Sequence, residues 1–151
     1  MFKKLNKKGF TLAELLIVVA IIGVLVAISI PIFSSQLEKA REATDLANLR
    51  AAYAEGSAAL LDGDYETDSA SWGTYTAGST TSLTGWYDIG TGKITQTKVA
   101  AGKGTEAKTN NTGITVGGFA YKTNEDYTGK GIEVTLDLTK DQCTVKFESI
   151  S

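Results

Sequence analysis

Glu14 is the one ionisable side chain in the 21-residue stretch Phe10–Ile30, whose other polar members are Thr11 and Ser29. A carboxylate at membrane depth costs about 2.5–3.5 kcal/mol on insertion scales, so it is by default a functional group in need of a partner. The chemistry open to it is charge pairing. The chain has no histidine, and its single cysteine, Cys143, falls in a strand-like pattern, so no imidazole-based acid–base pair or thiol–imidazole pair is available. No catalytic residue, cofactor or metal is expected, and the chain does not read as an enzyme. Thr11 and Glu14 also have the spacing of a capping box, and Phe10 with Leu15 that of a hydrophobic staple. The helix dipole favours an acid in a first turn. On spacing alone the two roles of Glu14, pairing and capping, stand level.

Two further groups have chemistry-like spacing. Asp62, Asp64, Glu66 and Asp68 alternate as oxygen ligands for calcium can. They lack the glycine and the terminal glutamate of an EF-hand loop, and a solvated acidic helix terminus is the expected reading. Lys98, Lys103 and Lys108 form a loose basic group in a chain with 15 basic and 17 acidic side chains. Without Lys3, Lys4, Lys7 and Lys8 the balance becomes 11 against 17. A polyanion is repelled on average by such a body, so no specific nucleic-acid partner is expected.

The element that positions Glu14 is the apolar run itself. As a helix rising about 1.5 Å per residue it spans roughly 30 Å, the thickness of a bilayer's hydrocarbon core. Lys3, Lys4, Lys7 and Lys8 precede it with no comparable basic cluster close behind, so the positive-inside bias keeps the N-terminus cytoplasmic and exports the chain beyond Pro31. A secretory signal peptide has a shorter apolar region and a small-residue cleavage site after it. A plain signal anchor shares the hydropathy but gives no reason for Glu14.

The residues Lys8-Gly9-Phe10-Thr11-Leu12-Ala13-Glu14-Leu15-Leu16-Ile17, followed by an apolar run with Gly23 and ending near Pro31, resemble the class III signal of type IV prepilins and related pseudopilins. The resemblance covers about 30 residues. It implies that a prepilin peptidase cuts after Gly9 and methylates the new amine of Phe10, making residues 1–9 a removable leader. It implies further that Glu14, the fifth mature residue, pairs with the Phe10 amine of a neighbouring subunit, and that Pro31 is a kink. It implies as well that Gly23 to Pro31 is a stretch able to lose helical order in the filament, as the corresponding stretch can in the family. The partners so implied are further copies of the chain in a helical homopolymer, the prepilin peptidase, the inner-membrane assembly platform and minor pilins, with the membrane holding the chain before assembly. The function so implied is that of a structural subunit, the major pilin, of an extracellular type IV pilus. A minor pilin or a secretion or competence pseudopilin is the alternative within the family, and a monomeric signal-anchored surface binding protein the alternative outside it.

Charge logic agrees with that carry-over. The cut removes four lysines and leaves a cationic amine about one helical turn from Glu14. Side by side with a small axial offset, such helices match opposite charges in a low dielectric where an unpaired charge is costly. Gly23 and Pro31 both weaken the helix locally.

Beyond residues 10–31, the transmembrane and assembly helix, the body takes residues 32–151. An amphipathic helix is expected over 32–61, with Leu37, Ala40, Thr44, Ala47, Ala51, Ala54, Ala58 and Leu61 as the stripe that packs under a sheet. Leu46, Leu49, Tyr53 and Leu60 flank it, while Glu38, Lys39, Arg41, Glu42, Asp45, Asn48 and Arg50 fill the polar face. Residues 62–112, rich in Gly, Ser and Thr, correspond by the resemblance to the variable loop between helix and sheet, with a short hairpin of Trp86–Ile89 and Lys93–Thr97 expected across Gly90 to Gly92. Residues 113–151 read as three antiparallel strands: Ile114 to Tyr121 with an interruption at Gly117 and Gly118, then one through Ile132 and Leu138, then one through Cys143 and Phe147. The fold class is therefore α+β, a long N-terminal helix with a transmembrane and an amphipathic half, packed on a small antiparallel C-terminal sheet in pilin-like fashion. Cys143 alone forms no intramolecular disulfide, where many pilins close a C-terminal loop with two cysteines. It is placed on the inner face of its strand as a small hydrophobe.

Overall fold

The apolar run and the amphipathic segment after it form one helix, α1 (Leu12–Asp62), in the computed structural model, which describes residues 9–104 and 113–150. The helix runs through Pro31 and ends one residue beyond the expected boundary. There Gly63 takes a left-handed φ of 75° and its N–H donates to the Ala59 carbonyl at 3.1 Å. That is the C-terminal cap glycine makes without a Cβ penalty. Two compact units make up the chain, Met1–Leu37 and Glu38–Ser151.

Within the second unit a 3-10 turn (Asp64–Glu66) and a short helix α2 (Ser69–Trp72) come after α1. The strands are β1 (Ser82–Asp88), β2 (Lys93–Thr95), β3 (Thr115–Val116), β4 (Phe119–Ala120), β5 (Gly131–Asp137) and β6 (Gln142–Glu148). Four of them make one antiparallel sheet in the order β2-β1-β5-β6, with Leu83 opposite Leu136, Tyr87 opposite Ile132 and Leu136 opposite Cys143. Alternation puts Leu83, Tyr87, Ile132, Val134, Leu136, Cys143, Val145 and Phe147 on one face, all buried. The expected hairpin forms, with Trp86 paired to Thr95 and Asp88 to Lys93, but its first strand starts four residues earlier than expected.

Two expectations about the sheet are corrected. Ile114 to Tyr121 is not a strand of it. Gly117 and Gly118 both adopt positive φ (51° and 81°), which turns the chain back on itself and pairs β3 with β4 as a separate two-stranded ribbon. The sheet instead draws β1 and β2 from the segment read as loop. Gly85 and Trp86, which is buried on the opposite face of β1, break the alternation there.

The helix face is corrected too. Leu37, Ala40, Thr44, Ala47, Ala51, Ala54, Ala58 and Leu61 do not form the buried stripe, while Asp45, Leu49, Ala52 and Gly56 are buried. Leu46, Ala59 and Leu60 pack at the margin of this core. The buried positions keep the same three-and-four spacing, shifted in phase. The reason is close approach: a Cβ on Gly56 would lie 2.6 Å from Val134 Cγ1 and 2.7 Å from Cys143 Sγ. A bulkier, more regular stripe leaves no room for β5 and β6 there.

Candidate assembly site

In the first unit the side chains from Phe10 to Phe33 have no protein cover. Phe10 is 93 % exposed, and Leu16, Ile22, Leu25, Ile30 and Phe33 are likewise exposed. The helix is long and apolar enough to cross a membrane, and none of its apolar window is buried. A helix so rich in Ile and Val has modest propensity in water. In hydrocarbon it is the form that satisfies each backbone group internally.

Glu14 sits at the start of this helix in a complete capping box. Thr11 N–H and Thr11 Oγ1–H both donate to Glu14 Oε2 at 2.8 Å, and Glu14 N–H donates back to Thr11 Oγ1 at 3.3 Å. The capping role is thus met within the chain. All three bonds use atoms C-terminal to the Gly9–Phe10 peptide bond, so a cut there leaves the box intact. It also leaves Glu14 on an exposed helix end.

Gly9 and Gly23 each have open space where a Cβ would stand, and neither has a positive φ. Neither glycine is demanded by the fold of one chain. Pro31 lies inside α1, and hydroxyls back-bond on either side of it, Ser29 Oγ to the Leu25 carbonyl at 2.7 Å and Ser34 Oγ to the Ile30 carbonyl at 3.1 Å. Ser and Thr bonding of this type bends helices slightly.

The other candidate groups disperse. Asp62 ends α1, Asp64 and Glu66 bound the 3-10 turn, and Asp68 caps α2 by accepting from Ser71 N–H at 3.1 Å. Among the described residues no group of three or more His, Cys, Asp or Glu is placed to hold a metal ion. Lys98 Nζ lies 5.4 Å from the Trp86 ring centroid, and the Lys103 N–H donates to Asp45. Lys108 and the N-terminal Lys3, Lys4, Lys7 and Lys8 lie outside the described residues. Cys143 is buried on the inner face of β6, as expected, and burial pushes its thiol pKa up.

One residue was misplaced by sequence reasoning. Asp45, assigned to the polar face, is fully buried and gathers three donors: Lys103 N–H at 2.8 Å on Oδ1, and Gly104 N–H at 2.7 Å and the Tyr121 hydroxyl at 3.1 Å on Oδ2. Burial raises its pKa against the pull of those donors, and the same burial with the adjacent Asp45 charge raises that of Tyr121. The available signal was the phase it shares with Leu49, Ala52 and Gly56.

Comparison with known proteins falls on the same segment. Residues 4–30 match the family described as the prokaryotic N-terminal methylation motif. The chain is 42 % identical over 57 residues to fimbrial protein Q of Moraxella bovis, a match covering 38 % of this chain and 36 % of that one. It is 48 % identical over 48 residues to the type IV major pilin protein PilA of Myxococcus xanthus, covering 32 % and 22 %. Over 36 residues it is 54 % identical to fimbrial protein EcpB of Eikenella corrodens, covering 24 % and 23 %. The matched stretch thus spans 22 % to 36 % of the length of these relatives. No solved structure matches the chain.

Proposed function

We propose, from the premise that this chain is by its N-terminal segment a type IV pilin, that it is the major structural subunit of a pilus filament. Prepilin peptidase cuts between Gly9 and Phe10 and methylates the Phe10 amine. The subunit waits in the membrane with its body outside, and the assembly platform draws it into the filament. Minor pilins join the same assembly, and the mature product is extracellular.

The observation that carries this reading is the apolar first part of α1, exposed from Leu12 to Phe33, with one acid, Glu14, in its first turn. Extraction from lipid into a bundle of identical helices exchanges one apolar surrounding for another, which is tolerable only when the charges match. In such a bundle Glu14 of one subunit meets the Phe10 amine of the next. The capping box supports the role: it holds the Glu14 carboxylate toward the helix end while charge pairing sets axial register. Gly9 and Gly23, which the single chain does not require, serve other molecules. Gly9 fits the peptidase, and Gly23 allows a neighbouring helix close approach. The uncovered alanines from Ala40 to Ala58 offer a low-relief face to further subunits.

The test is intact-mass and N-terminal analysis of protein sheared from the surface of the native cell. A chain starting at Phe10 with one added methyl is expected. A chain retaining Met1, or cut beyond Pro31, overturns the proposal in favour of an anchored or secreted binding module.

A further inference from the structure

One face of α1 stays bare within the second unit, and its residues keep a heptad period. From Ala40 to Leu61 the exposed positions recur in steps of four and three, the a and d sites of a heptad, with Thr44, Ala51 and Ala58 at a. The buried residues Asp45, Leu49, Ala52 and Gly56 fall at b and f of the same heptad, on the opposite side of the helix. The body therefore folds without using the a/d face. Leu61, the bulkiest member of that face, is 83 % exposed.

Small residues by themselves name no occupant, but the charges beside them do. Arg50 at g and Glu55 at e are exposed on the two flanks of the face, and neither makes an ion pair or a side-chain hydrogen bond among the described residues. They do not pair with each other, because side chains meet along a helix at spacings of three and four, not five. In a parallel two-stranded pair the g side chain of one helix lies beside the e side chain of the following heptad on the other, and such contacts set partner choice and orientation. A second copy in register thus brings its Glu55 to Arg50 and its Arg50 to Glu55. The neighbouring contacts of this type, Ala43 with Asn48 and Ser57 with Asp62, set no like charges together. A slip of one heptad loses the reciprocity, since it puts one Arg50 beside Asp62 and the other beside Asn48.

We propose that a second copy of this chain docks on the a/d face of α1 between Ala40 and Leu61, parallel and in register, while the chain is held in the membrane. The alanines let the helix axes approach to the short end of the usual range of about 8–10 Å. The reciprocal Arg50–Glu55 contacts, one on each flank, fix the register. A seam of alanines buries little apolar area, so the pair needs the help of confinement. A shared bilayer supplies it by raising the effective concentration, and a single span near the N-terminus points every copy the same way. The proposal rests on the membrane-held subunit proposed above. Because matching Glu14 to a neighbour's Phe10 amine needs an axial offset, the in-register pair belongs to the stored subunit and not to the filament.

The test is disulfide cross-linking of the full chain in phosphatidylcholine vesicles under mild oxidation, with Cys143 left in place because its sulfur is buried. Ala47→Cys and Ala54→Cys are each expected to link copy to copy several-fold faster than Thr84→Cys, an exposed position of β1. Arg50→Glu should slow the Ala54→Cys link several-fold, and Arg50→Glu combined with Glu55→Arg should restore it. Rates no higher than that of Thr84→Cys, an Arg50→Glu variant that links as before, or an exchange that fails to restore, overturns the proposal. Faster linking between mixed Ala47→Cys and Ala54→Cys copies than within either kind shows a staggered neighbour and overturns it as well. Neither peptidase nor filament takes part, so failure here is distinct from a chain that retains Met1 on the cell surface.

Discussion

Gly56 of α1 faces Val134 of β5 so closely that a Cβ on the glycine would stand 2.6 Å from Val134 Cγ1. Helix and sheet meet there at backbone distance, with Cys143 closing the other side at 2.7 Å. In an open helix, alanine would gain roughly 1 kcal/mol over glycine. Here overpacking costs about 1–3 kcal/mol and pushes two strands. Gly56→Ala is thus expected to lower stability, read as a reduced urea midpoint. An unchanged or raised midpoint would show that the sheet yields at this contact.

Asp45→Ala removes the acceptor from three donors at once, of which the Gly104 amide and the Tyr121 hydroxyl are buried. Two of them are backbone amides, which cannot turn away to find water as a side chain can. The expected loss is roughly 2–4 kcal/mol. Thermal unfolding of variant and parent at neutral pH measures it, and a loss within about 0.5 kcal/mol would mean that water replaces the carboxylate.

Most of the architecture was readable from the sequence. The 21-residue apolar run stands out by its unbroken hydropathy, and β5 and β6 by their strict alternation about a tight turn, and the structure has them where expected. Glu14 and Thr11 were readable because a capping box is a local motif. The buried face of α1 was not, for a physical reason. Two interleaved stripes share one period, and alanine, being small, says little about which is covered. The deciding residues were Gly56, whose value lies in what it lacks, and Asp45, whose partners lie more than 50 positions away. Strand β1 was hidden for a similar reason, since Gly85 gives way to Ile94 and the Ser71 carbonyl instead of supplying an inward side chain.

The β5–β6 turn holds a carboxylate that responds to acid. Asp137 accepts from Lys140 Nζ at 2.7 Å, from Thr139 Oγ1 at 2.6 Å and from the amides of Thr139 and Lys140. The Lys140 ammonium and these donors hold its carboxyl well below the usual carboxylate range. Its contribution is therefore present above the ordinary aspartate range and is lost as pH falls toward the lowered folded value. Melting temperatures of the parent and of Asp137→Asn should differ at neutral pH and converge toward about pH 2. A gap that persists undiminished at low pH would assign the effect to the turn's shape and not to the charge.

Cys143 is expected to behave as a core side chain. Burial pushes its thiol pKa up, so the thiolate that reacts with disulfide reagents is scarce, and the sulfur is covered by α1. Labelling of the native chain should be slower by orders of magnitude than in urea and should track global unfolding as denaturant rises. Rapid labelling of the native chain would place the sulfur in contact with solvent.

The two roles of Glu14 are separable because glutamine can cap but cannot pair with an ammonium as a charge. Glu14→Gln keeps a side-chain oxygen for the Thr11 amide and hydroxyl, so the helix start should survive. Glu14→Ala loses both, at a cost to the helix start of about 0.5–2 kcal/mol. On the charge-pairing account both variants are processed at Gly9 and both fail to enter filaments. On a capping-only account Glu14→Gln assembles almost as the parent does. Immunoblots of sheared filaments against whole-cell pools, with the mass of the pool chain read for cleavage, distinguish the two. We expect Glu14→Gln to accumulate as processed, unassembled subunit, because a bundle that matches amines to carboxylates leaves the Phe10 ammonium of the neighbour buried without its counter-charge.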